Sequence, residues 1–299
     1  MKLKLPELKL SKLKPLEIVA RLRKVKKTTI LFHLLAWGVS LIWILPFLGV
    51  FMASIRPLPE ILNGWWNFDV FNPTLRGFVG AWNHPTAPLN RALFNSLLVT
   101  IPSTFIPIFV AALGAYSFAR FKFPTRDVLF FVLVLLQTIP QQMVIIPIFR
   151  IMISLGLWNN YIGLILVHTA FALPWQIFFL RNFFSALPVE IEEAARIDGA
   201  SYLKIFYKIV LPLTLPALAS LTALQFVWVW NDFFFAIVLI SSPELRLATQ
   251  AVAAMPGRLA IDWTVVSAAS IMVMIVPIIV YVALQRYYVR GLVGGAVKG

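Results

Sequence analysis

The chain has 299 residues, 60% of them hydrophobic and only 13% charged, with a mean hydropathy of +0.86. A water-soluble domain of this length needs far more polar surface, so composition excludes that class and points to an integral membrane protein. The net charge of +14 does not mark a nucleic-acid binder, because ten of the 26 Lys and Arg residues crowd into positions 2–27 without any recognition motif.

The tail over 1–29 fits a cytoplasmic segment lying against anionic lipid, where each basic residue contributes about 1 kcal/mol. Its Lys/Leu alternation is of low complexity, and Pro6 and Pro15 interrupt any long helix there. The first apolar run, Thr28 to Ile55, is uncharged, too long for a signal segment and not followed by a small-residue cleavage site. It is expected to stay as a spanning helix. Further apolar segments follow at about 93–118, 128–149, 161–180, 210–240 and 263–285, after a first at about 30–54. About 20 apolar residues cross the hydrocarbon layer as a helix. Barrel strands are shorter and alternate in polarity, which these segments do not.

The connection 55–92 carries Trp65, Trp66 and Trp82 and reads as an interfacial segment. In the third segment Gln137, Gln141 and Gln142 surround Pro140. Such amides exchange hydrogen bonds either with the hydroxyls of a neutral solute or with neighbouring helices. His33, His84 and His168 are widely separated and make no metal site, and the chain has no cysteine. Prolines recur inside the segments, at Pro102, Pro107, Pro140, Pro147, Pro174, Pro216 and Pro277, and predict kinks.

The loop 185–211 is charged and helix-forming. Pro188 suits a first helical turn. Glu190, Glu192 and Glu193 then fall near the positive end of the helix dipole. Ile191, Ala194 and Ala195 share one face at i, i+3 and i+4. Gly199 suits a left-handed helix end, and Ser201 suits the cap of a second helix toward Pro212. In the fifth segment Asp232 is the only carboxylate within the predicted spans. With Asn231 it either caps a break or lines a pathway. Trp228 and Trp230 either present flat apolar faces to a solute ring or pack at the interface.

Basic residues set the orientation. With the N-terminus inside, the pieces 1–29, 119–127, 181–208 and 286–299 hold twenty of them, and 55–92, 150–160 and 241–262 hold six. Both termini and the 185–211 loop are therefore expected in the cytoplasm.

Glu193-Ala194-Ala195, three residues, Gly199, nine residues, then Ile209-Val210-Leu211-Pro212 resembles the cytoplasmic loop of permease subunits of ATP-driven (ABC) importers. Asn95-Ser96-Leu97, Gly114 to Arg120, Trp230-Asn231-Asp232-Phe233 and the glycine-rich ending from Arg290 extend the resemblance over about 30–299. It is to carbohydrate permeases of the maltose-importer type, the six-helix subunit. The basic tail departs by its length and lysine content. The resemblance implies partners: a second permease subunit, two ATP-binding cassette ATPase subunits and an extracytoplasmic sugar-binding protein, in a bacterial or archaeal cytoplasmic membrane. It also implies that Glu192, Glu193, Ala194, Ala195, Asp198 and Gly199 couple the chain to the ATPase. A P-loop is absent, so no ATP is cradled here, and no catalytic set, metal or cofactor is expected.

The reading is an all-α integral membrane protein: a basic cytoplasmic tail 1–29, a six-span domain 30–285 with a cytoplasmic coupling helix, and a cytoplasmic tail 286–299. Its pathway residues are expected among Gln137, Gln141, Trp228, Asn231 and Asp232. An ion-coupled secondary transporter is the alternative. It calls for intramembrane carboxylates and related halves, and the chain offers one carboxylate and no evident repeat.

Overall fold

The computed structural model describes residues 27–256 and 261–296. The first 26 residues of the basic tail and the last three of the C-terminal tail lie outside the described residues. Among the described residues there is helix and no strand. In a hydrocarbon layer a backbone must satisfy its own polar groups, and helices do this within one segment.

Helix α1 (Lys27–Ser54) contains Pro46 and matches the first expected span. The described residues divide between Met52 and Ala53 into two units. In the second unit the helices in chain order are α2 (Leu58–Leu62), α3 (Arg76–Trp82), α4 (Leu89–Arg120), α5 (Arg126–Leu136), α6 (Ile145–Ser154) and α7 (Tyr161–Ser185). They continue with α8 (Val189–Ile197), α9 (Tyr202–Leu213), α10 (Leu215–Trp230), α11 (Phe234–Leu239), α12 (Ala248–Ala254) and α13 (Trp263–Ala296).

Four of the described helices, α1, α4, α7 and the stretch Trp263–Gln285 of α13, are long and apolar enough to cross a membrane. A bent pair, α9 and α10, meets at 75° and passes the same test jointly. The bend has a local cause. Residues Phe206–Val210 are π-helical, Pro212 and Pro216 lack amide donors, and the Thr214 hydroxyl donates to Val210 O at 2.9 Å. The third expected span, 128–149, is not one helix. It breaks around Pro140 into α5 and α6. The fifth also stops short, at Trp230, and resumes as α11.

The core of the second unit lies where α4 packs along α7 and against α10, with α13 on the far side of α10. Ala111, Ala112 and Ala115 keep the α4–α7 contact close, as small residues do in membrane bundles. Gly77 serves the same end for α3 on α13, since a Cβ there would stand 2.7 Å from Thr264 O.

The connection 55–75 is a closed loop. Its buried centre is Arg56, whose guanidinium lies 5.1 and 4.8 Å from the rings of Phe68 and Phe71. Arg56 Nη1 donates to Trp65 O, and Glu60 accepts from the Asn72 side chain at 2.9 Å.

Candidate functional site

Two places carry the sequence-predicted residues: the short helix α8 and a cavity beside α10.

Helix α8 follows Pro188, with Glu190 and Glu192 in its first turn and Arg196 in its last, both favoured by the helix dipole. Its end is a Schellman turn. Ala200 N donates to Ala195 O at 2.9 Å and Gly199 N to Arg196 O at 3.0 Å. Gly199 has φ +79°, the left-handed region that glycine enters without strain. Ser201 Oγ accepts from Lys204 N at 3.3 Å and starts α9.

The predicted coupling residues divide by face. Glu193, Ala194, Asp198 and Gly199 are exposed. Ala195 is half-buried against the cluster of Tyr116, Phe184 and Phe206. Glu192 faces inward and is buried. Its carboxylate accepts from Arg120 Nε at 2.7 Å and from the Tyr116 hydroxyl at 2.9 Å, both on α4. Arg120 also donates from Nη2 to Leu187 O at 3.2 Å, in the link between α7 and α8. Ile197 stands outward, 88% exposed. Spacing alone did not find the Arg120–Glu192 pair, because 72 residues separate the partners.

A cavity of about 710 Å³ is lined by Gln141, Leu224, Trp228, Asn231, Asp232 and Tyr281. A neighbouring cavity of about 900 Å³ adds Gln137, Gln142 and Trp175 and shares Gln141 and Trp228. All five predicted pathway residues therefore lie on two adjoining cavities. Gln141 Oε1 is buried there and accepts from no donor among the described residues.

Asp232 caps the break after α10. Its oxygens accept from Phe235 N at 3.3 Å and Ala236 N at 3.1 Å, which starts α11 after the break. It also lines the cavity. His168, fully buried on α7, places Nε2 3.6 Å from Asp232 Oδ2, and its ring meets Trp228 edge-on at 5.7 Å. Spacing marked His168 only as one of three separated histidines that make no metal site. Trp230, the other aromatic considered for a sugar, is buried and donates to Val273 O at 3.1 Å, so it packs.

The 244–248 segment, which follows α11, is stapled to the Leu89 end of α4. Asn95 Nδ2 donates to Glu244 O and Arg246 O, both at 2.9 Å, and Ser96 Oγ accepts from Ala248 N at 2.8 Å. Asn159 Oδ1 accepts from Ser241 N and Ser242 N, both at 3.0 Å. Among the described residues, no three His, Asp or Glu side chains gather to hold a metal ion.

Comparison with known proteins identifies the family of the chain. The family described as the binding-protein-dependent transport system inner membrane component matches residues 103–294. A probable ABC transporter permease protein of Pyrococcus horikoshii is 49% identical over 89% of this chain and 96% of its own length. The glucose import system permease protein of Saccharolobus solfataricus is 34% identical over 93% of this chain and 99% of its own. A chain from a bacterial ABC transporter involved in the import of the acidic polysaccharide alginate superposes with a TM-score of 0.75, at 26% identity, over 88% of this chain and 99% of that one. With its broken apolar helices, its outward-facing α8 and its lack of an ATP-binding motif, the chain belongs to the inner membrane components of binding-protein-dependent transport systems, as a permease subunit whose ATPase is a separate polypeptide.

Proposed function

We propose that the chain is the permease subunit of a sugar importer, pairing with a second permease and two ATPase subunits and receiving its sugar from an extracytoplasmic binding protein. Two of the relatives above carry carbohydrate names, one for glucose and one for alginate. The observation that carries the reading is α8: a nine-residue helix outside the spans, with Glu193, Ala194 and Ile197 turned outward. Helix α8 docks on the ATPase, so α8 and both chain termini are cytoplasmic and the 240–250 segment is external. Helices α5 and α6 together make the third span, broken at Pro140, which brings the count to six.

The sugar passes along the two cavities. Trp228 offers a flat apolar face, and Gln141, Asn231 and Asp232 exchange hydrogen bonds with hydroxyls that have left water. An acceptor left without a donor in such a site costs about 1–3 kcal/mol, so a hydroxyl is a favourable partner for Gln141 Oε1.

The test is crosslinking in the assembled transporter. Ala194→Cys, on the exposed face, is expected to crosslink to a cysteine in the ATPase cleft while sugar uptake in vesicles continues. An active complex with no such crosslink would remove α8 from the docking role.

A further inference from the structure

We propose that α4 is the strut that carries movement of α8 to the opposite end of the bundle, and that Tyr116 and Arg120 are the positioning residues that fasten α8 to it. The inference rests on α8 being the ATPase-docking helix.

At the Arg120 end, three bonds converge. Arg120 holds Glu192 and Leu187 O, and Tyr116 holds the other oxygen of Glu192. Both ionic side chains are under 10% exposed, at 9% for Arg120 and 8% for Glu192. A buried pair of this kind resists separation, because moving one partner away leaves the other as an uncompensated charge. Apolar contacts alone would let α8 slide across α4. The pair fixes its register.

Helix α4 then runs without interruption from Arg120 back to Leu89. From Arg120 to Asn95 the distance along the axis is about 37 Å, at roughly 1.5 Å per residue. Midway, Ser103 O accepts from Gln225 Nε2 at 3.1 Å, which ties α10 to the strut three residues before Trp228. At the Leu89 end, Asn95 and Ser96 hold the backbone at Glu244, Arg246 and Ala248. From there Thr249 Oγ1 donates to Asp232 O at 2.9 Å, and Gln250 Nε2 to Ala236 O at 3.1 Å. Directional bonds therefore lead from α8, through one helix, to the cavity wall and the external segment beside it. Each end of the strut is held by buried polar side chains, and these have discrete arrangements that packing alone does not supply.

The experiment uses the whole transporter in proteoliposomes, with a single cysteine at the exposed Glu244 position. Its reaction with an impermeant thiol reagent is measured with and without a non-hydrolysable ATP analogue. In the otherwise unchanged chain the analogue is expected to alter the labelling rate about tenfold, a usual size for coupling between sites. Adding Glu192→Gln, or Tyr116→Phe, is expected to shrink that response to about twofold or less while the Ala194→Cys crosslink to the ATPase persists. A role confined to stability would lower the amount of complex without changing the nucleotide response of what assembles. Should Glu192→Gln fail to assemble, Tyr116→Phe removes one bond only, and the unchanged chain still decides. An undiminished response in either assembled variant overturns the proposal, and so does a chain with an intact latch and no response at Glu244→Cys. Loss of the Ala194→Cys crosslink from an active complex would instead overturn the docking reading.

Discussion

Asp232 sits where a helix stops, a cavity opens and a buried histidine approaches. Its two oxygens hold amides at the start of α11 while the cavity reaches its edge. Those two duties are separable by substitution. Asp232→Asn keeps one of the two acceptors and loses the charge, whereas Asp232→Leu loses both acceptors and the charge, at a helix-start cost of about 0.5–2 kcal/mol. Sugar uptake in vesicles is expected to survive Asp232→Asn and to fail in Asp232→Leu. If Asp232→Asn abolished uptake in an assembled complex, the charge itself would be needed and ion coupling would regain ground. Gln141 makes a second case. Its buried Oε1 has no donor among the described residues, so Gln141→Ala is expected to raise the KM for sugar about tenfold while assembly persists. Polarity within an apolar stretch was enough to single out these residues. The approach of His168 was not legible, because it lies 64 positions away and on another helix.

At the scale of elements, α8 is the one whose sequence and structure agree in most detail. Its start after Pro188, its end at Gly199 and the cap at Ser201 are all local, set by bonds within five residues. A Cβ at Gly199 would meet no atom within 4 Å, so only the positive φ opposes substitution. Gly199→Val is therefore expected to lose about 1–2 kcal/mol and most sugar uptake, and Gly199→Asn to keep most of it, since asparagine tolerates the left-handed region. Uptake rates in proteoliposomes, normalised to assembled complex, would distinguish the two. Equal loss in both would mean that the turn geometry is not what Gly199 supplies. The faces of α8 were less legible. Helical spacing put Ile191, Ala194 and Ala195 on one stripe, but Ala194 stays outside and Ala195 packs inward. What turns the helix is Glu192, drawn to Arg120 and Tyr116 from another part of the chain. Likewise, hydropathy marked 128–149 and 210–240 as continuous, whereas Pro140 and the Asn231–Asp232 pair marked where the helices break.

For the whole molecule, orientation is a question of charge. The chain has no cysteine, so single cysteines report sidedness without background. In intact cells an impermeant thiol reagent is expected to reach Asp69→Cys, in the closed loop after α1, and to miss Arg196→Cys on α8. Labelling at Arg196→Cys from outside would reverse the topology and remove the ATPase contact with it. The sequence by itself determined the class, the apolar helices, the expected sidedness, and the helix-turn-helix of the 185–211 loop. Those features rest on hydropathy, on charge counts and on bonds between near neighbours, all of which are properties of short stretches. Tertiary structure alone decided that Glu192 is latched to α4, that Asn95 and Ser96 hold the 244–248 backbone, and that Gln141, Trp228 and Asp232 share a cavity wall. The first two depend on burying a polar or charged group beside a partner that is distant in the chain, and the third on helix packing that brings distant residues to one cavity. The cost of leaving such a group unpaired in an apolar bundle selects the pairing, and that cost exists only once the helices have come together.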